Sequence, residues 1–84
     1  MEPTELERRL KEAFPGAEVE ISDLTGTKDH FQARIVAEEF TGQSLIQQHQ
    51  MVYRVLEDAM RGAIHALALR TYTPKSWGLA KGIE

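Results

Sequence analysis

The sequence predicts an α/β (α+β) domain of order α-β-β-α(α)-β-α, with a three-stranded mixed sheet covered by helices on one side. Three observations carry this. Hydrophobic residues switch between helical and period-two spacing in that order along the chain. A helical stretch of about 25 residues separates the second strand-like run from the third, long enough for a parallel crossover. Eighty-four residues with 42% hydrophobic side chains can build one core but not two, so residues 1–84 are read as a single domain.

The first helix is expected over Glu5 to Phe14. Thr4-Glu5-Leu6-Glu7 has capping-box spacing, Leu6, Leu10, Ala13 and Phe14 recur at helical intervals, and Pro15-Gly16 stops the element. From about Ala17 to Ser22, Val19 and Ile21 alternate with Glu18, Glu20 and Ser22, as in a strand with one wet face. The turn formers Asp23 to Asp29 separate it from a second alternating run, Phe31, Ala33, Ile35 and Ala37, and the two strands are expected to form an antiparallel hairpin.

Phe40-Thr41-Gly42-Gln43 breaks the second strand, and Ser44-Leu45-Ile46-Gln47 offers a second capping box. Leu45, Ile46, His49, Val52, Leu56 and Met60 then mark one buried stripe ending near Arg61-Gly62, in one helix or two. In the third strand Ile64, Ala66 and Ala68 lie on one face and His65, Leu67 and Leu69 on the other, so it reads as the most buried strand. Thr73-Pro74 caps a last short helix that packs through Trp77 and Leu79, and the tail after Ala80 is expected to fray.

Thirteen acidic against ten basic residues give a formal net charge of -3, which excludes a global basic field for nucleic acid or anionic membrane. The chain has no cysteine, so disulfides, a thiol nucleophile and thiolate metal ligands are excluded for the chain alone. The amino end has no long apolar stretch, so neither a signal peptide nor a membrane span is expected, and a cytoplasmic location is the expectation. Ser22, Ser44 and Ser76 lack a nucleophile motif, Gly26 and Gly42 form no phosphate cradle, and the carboxylates fall on wet faces, so the chain is read as a non-enzyme.

Three histidines remain. Neutral imidazole is a ligand for borderline metals. His49 lies on the apolar helical stripe, where packing explains it. His30 begins the second strand beside Asp29, and His65 lies near the start of the third. If those strands are parallel neighbours, their starts share one sheet edge and the two imidazoles come to the same end.

Phe40-Thr41-Gly42-Gln43-Ser44-Leu45, Gln48-His49-Gln50-Met51-Val52-Tyr53, Ile64-His65-Ala66-Leu67 and Thr73-Pro74-Lys75-Ser76-Trp77 stand in an order and spacing that resembles the BolA family over nearly the whole chain. The resemblance implies a class II KH-like fold, in agreement with the order read from periodicity. It also implies a partner, a monothiol glutaredoxin, with which such proteins handle 2Fe-2S clusters, the histidine of the His-Ala-Leu element serving as a ligand. Here that residue is His65. The family's second ligand comes from the loop between the first two strands, where His30 is the candidate. Gln48 and Gln50 stand where the family commonly has arginines, so no role of those arginines carries over.

A 2Fe-2S cluster can be held by two thiolates on one iron and two imidazoles on the other. By the resemblance the thiolates come from glutaredoxin and glutathione, so no cofactor is expected on the isolated chain. A homodimer is compatible with the sequence. The competing reading is a KH-like nucleic-acid-binding transcriptional regulator. KH domains grip the backbone with a Gly-x-x-Gly loop, whereas Thr41-Gly42-Gln43-Ser44-Leu45 has a single glycine. Arg54, Arg61, Arg70, Lys75 and Lys81 could supply a local patch, and binding through it is expected to be weak and salt-dependent. A third reading, an adaptor that binds glutaredoxin without supplying ligands, differs from the first in the effect of mutating His65.

Overall fold

The computed structural model describes residues 1–82. Three α-helices, α1 (Pro3–Ala13), α2 (Leu45–Val55) and α3 (Pro74–Lys81), accompany three strands, β1 (Glu18–Asp23), β2 (His30–Val36) and β3 (Ala66–Tyr72). Glu38–Phe40 and Ala59–Arg61 are single 3-10 turns. The helical region after Ser44 is therefore one α-helix followed by a tighter turn. The sheet order is β1-β2-β3, with β1 antiparallel and β3 parallel to β2.

Helix α1 starts two residues earlier than its capping-box spacing suggests. Its N-cap is Glu2, whose carbonyl accepts from the amides of Glu5 (3.0 Å) and Leu6 (3.2 Å), and no side chain caps it. Proline at the first helical position has its backbone angle already set and has no amide to satisfy, so Pro3 extends the helix past Thr4. The boxes at the other two helices do form. Ser44 Oγ accepts from the Gln47 amide (3.1 Å) while Gln47 Oε1 accepts from the Ser44 amide (2.8 Å). Thr73 and Ser76 exchange the same pair of bonds ahead of α3.

Leu6 and Leu10 of α1, Val52 of α2, Leu56 and Ile64 meet Phe31, Ala33 and Ile35 of β2 in one core, closed at one end by Phe40. The rings of Phe14 and Phe40 lie 5.2 Å apart. Each such side chain removed from water contributes about 1.5–3 kcal/mol before the entropy of ordering is charged against it.

Three packing expectations are corrected. The most buried strand is β2, because it is central, whereas β3 is an edge strand on which Ala66, Ala68 and Arg70 are exposed. On α2 the inward stripe is Gln48 and Val52, and Leu45 and Ile46 are 61% and 71% exposed. Gln48 takes the inward position with its amide nitrogen donating to the carbonyl of Gln43 (3.0 Å), while its Oε1 is buried without a partner among the described residues. Leu79 of α3 is 65% exposed, and Trp77 alone packs that helix down.

Trp77 also corrects the expectation of helices on one side only. Its ring lies 5.0 Å from that of Tyr72 and 4.2 Å from the Arg34 guanidinium. Arg34 points away from the face formed by Ala33 and Ile35, so α1 and α2 cover one face of the sheet while Trp77 covers part of the other. Beyond Ala80, α3 continues to Lys81, and the rest of the expected fraying falls on residues 83–84, outside the described residues.

Candidate functional site

The register pairs His30 with Ala66, so the starts of β2 and β3 share one sheet edge. The crossover brings His65 there, and the imidazole rings of His30 and His65 lie with centroids 5.0 Å apart, tilted by 36°. Both strand starts are tied to one backbone atom: the Asp29 carbonyl accepts from the amides of His65 (2.7 Å) and Ala66 (3.1 Å). Ile64, buried immediately upstream, anchors the segment from below, leaving His65 exposed.

The loop that presents His30 is braced from within. Asp23 accepts from the amides of Gly26 (3.0 Å) and Lys28 (3.1 Å). Gly26 has φ +75° and Lys28 +62°, and the latter costs a non-glycine residue roughly 1–2 kcal/mol. Contacts with the amino terminus hold Lys28 there: the Met1 ammonium donates to its carbonyl (2.9 Å), and its own ammonium pairs with Glu2 (2.8 Å). Leu24 closes the loop by donating to the His30 carbonyl (2.8 Å).

Asp29 is the residue whose part was not legible as a function, although its position next to His30 was a signal. Its Oδ1 lies 2.8 Å from His30 Nδ1 and also accepts from the Thr27 hydroxyl. The Thr27 hydrogen bond, and after it the one with His30, hold the Asp29 carboxyl below its ordinary range. In the neutral tautomer that donates from Nδ1 to this carboxylate, the lone pair is on Nε2, the arrangement by which a carboxylate orients a metal-ligating imidazole.

Two imidazoles at this separation fit a single metal ion. Two imidazole nitrogens about 2.1 Å from one tetrahedral ion lie about 3.4 Å apart, and rings 5.0 Å apart are on that scale. Among the described residues, no group of three or more His, Cys, Asp or Glu side chains is arranged to hold a metal.

His49 lies apart from this pair, in the groove between α2 and β3, with its Nε2 buried and unpartnered. The residue is half-buried there. No helix among the described residues is long and apolar enough to cross a membrane.

An α+β domain of this element order, with β1 antiparallel and β3 parallel to the central β2, is a fold that comparison finds in known proteins. The family model described as "BolA-like protein" matches residues 10–76. The chain belongs to the BolA family. It is 34% identical over 79 residues to the DNA-binding transcriptional regulator BolA of Escherichia coli, covering 86% of this chain and 75% of that one. Its fold is similar to that of BolA1 from Arabidopsis thaliana, with TM-score 0.79 and 26% identity over 87% of this chain and 92% of the other. The BolA domain of SufE1 from Arabidopsis thaliana is similar to the same degree, with TM-score 0.79, 29% identity and the same coverage of 87% and 92%.

Proposed function

We propose that this protein is a non-enzymatic partner of a monothiol glutaredoxin, to whose 2Fe-2S cluster it contributes His65 and His30. The observation that supports the reading most is the approach of the two imidazoles to 5.0 Å at one exposed sheet edge, in a chain with no thiolate of its own. When bound, the cluster supplies electron-transfer and iron-delivery chemistry. The chain's residues hold and orient: the Asp29 carbonyl fixes the backbone of His65, and the Asp29 carboxylate orients the His30 ring through Nδ1. Glutaredoxin and glutathione supply the thiolates in this reading, and transfer or sensing of the cluster is the purpose it serves.

The test is to mix the protein with a monothiol glutaredoxin, iron, sulfide and glutathione, and to record the visible absorption and circular dichroism. A mixed-complex spectrum that differs from that of the glutaredoxin homodimer, and is lost with His65→Ala, is the expected result. A mixed complex whose spectrum ignores His65 leaves the adaptor reading in its place.

A second reading, nucleic-acid binding, is favoured by the name of the Escherichia coli relative. Gly42 has φ +82° at the turn before α2, but no second glycine follows to let a phosphate backbone approach. Sequence-specific binding that survives raised salt would put this reading first.

A further inference from the structure

The open edge of β3 is bordered by a groove of about 220 Å³, lined by Leu45, His49, Leu69, Arg70, Thr71 and Tyr72. It lies along the second half of β3, past the strand start where His65 stands. The orientation of the strand follows from its end bonds. The Ala66 amide donates to Asp29 and the Tyr72 carbonyl accepts from the Ala37 amide, so the backbone groups of 66, 68, 70 and 72 face β2. Those of Leu67, Leu69 and Thr71 therefore face outward. Tyr53 donates to the Leu67 carbonyl at 3.4 Å, which leaves both groups of Leu69 and Thr71 without a strand partner.

Two further polar atoms lie in the same place. Thr71 is 7% exposed, yet among the described residues its hydroxyl has no hydrogen-bond partner, and neither has the buried Nε2 of His49. A buried polar group left unpaired costs about 1–3 kcal/mol, so a groove with two of them is poorly satisfied by its own chain.

Charge describes the occupant. Six of the ten cations are committed to carboxylates: Arg8, Arg9, Lys11, Lys28, Arg34 and Arg61. The four without a carboxylate partner among the described residues, Arg54, Arg70, Lys75 and Lys81, all belong to α2, β3 and α3, and Arg70 lines the groove itself. In a chain of net charge -3, the unspent positive charge is thus collected on the elements around the open edge.

The geometry points to a docking site for an extended acidic segment of a partner polypeptide, which adds to β3 as a fourth strand and reaches Thr71 and His49 with a side chain. A peptide is favoured over a nucleic acid because the edge presents carbonyls as well as amides. A peptide strand meets both kinds at the repeat of the strand itself, which the phosphodiester backbone, an acceptor only, cannot do. The site is independent of the histidine pair.

The test uses a short, capped peptide of alternating Glu and Val, followed by amide exchange and chemical shifts of the full chain. Exchange at Leu69 and Thr71 should slow by about tenfold or more on binding. Arg70→Glu should weaken binding by about fivefold. Thr71→Val should weaken it without lowering the melting temperature, and His65→Ala should bind like the parent. Alternate N-methylation of the peptide should abolish binding. Unchanged exchange along β3, or shifts that map elsewhere, would overturn the proposal. So would tighter binding of an oligothymidylate in the same groove, or β3 amides already protected in a dimer of this chain seen by sedimentation.

Discussion

The rings of His30 and His65 lie 5.0 Å apart although a complete helical crossover separates them in the chain, and Asp29 serves both. Its carbonyl holds the backbone of one and its carboxylate the ring of the other. One loop residue thereby sets the spacing of the pair.

His65→Ala should abolish the distinctive spectrum of a mixed cluster with glutaredoxin, and His30→Ala should weaken it less. Both side chains are at least partly exposed, so the change in folding stability should stay within about 0.5 kcal/mol, measured by urea unfolding. A loss of fold in either variant would contradict the separation of site from core.

Acid should release iron from the mixed complex, because a proton and a metal compete for the same ring nitrogen. Visible absorption followed from about pH 8 down to about pH 5 should fall faster than that of the glutaredoxin homodimer, whose ligands include no imidazole from this chain. Equal acid stability of the two would count against histidine ligation.

The two serine or threonine boxes and the unused one can be told apart. Ser44→Ala should cost about 1 kcal/mol, since it frees the Gln47 amide at the start of α2. Thr4→Ala should be close to neutral, because Glu2 is the N-cap of α1. Chemical denaturation of the two variants checks both, and equal losses would put the start of α1 back at Thr4.

Glu5 gives a pH signature. Its hydrogen bonds to Arg8, and next to Arg9, lower its pKa from 4.5 to about 2. A depressed folded-state pKa contributes stability that is present above the unfolded value and is lost as pH falls through the folded one. Glu5→Gln should therefore lower the melting temperature slightly at neutral pH, and the difference should close between pH 4.5 and about pH 2. The groups are all at least partly exposed, so the effect is small and should shrink further in salt.

Phe40→Ala should leave the chain largely unfolded. The side chain is fully buried against Phe14, and its loss costs about 3–5 kcal/mol, comparable with the whole stability of a small domain. Far-ultraviolet circular dichroism and thermal melting would show it, and a native-like melt would mean that the Phe14 end of the core can close without it.

Local pattern by itself determined the order of elements, the two capping boxes at Ser44 and Thr73, the hairpin and the parallel crossover, because each rests on neighbours within a few residues or on the length of one connection. It also placed His30 and His65 at one sheet edge, since parallel strands must begin at the same end. Burial was another matter. The apolar run in β3 reads as a core strand, but only the order β1-β2-β3 decides that it lies at the edge and that β2 lies at the centre. Gln48 could turn inward because carbonyls contributed by other segments were waiting for its amide, and Leu45 and Ile46 stayed out for want of a facing surface. Asp29 acquires its hold on His65, and Thr71 and His49 their shared groove, from atoms distant in sequence. Periodicity reports which face of an element is apolar; what that face meets depends on strand order and on the packing of remote segments, which only the folded chain supplies.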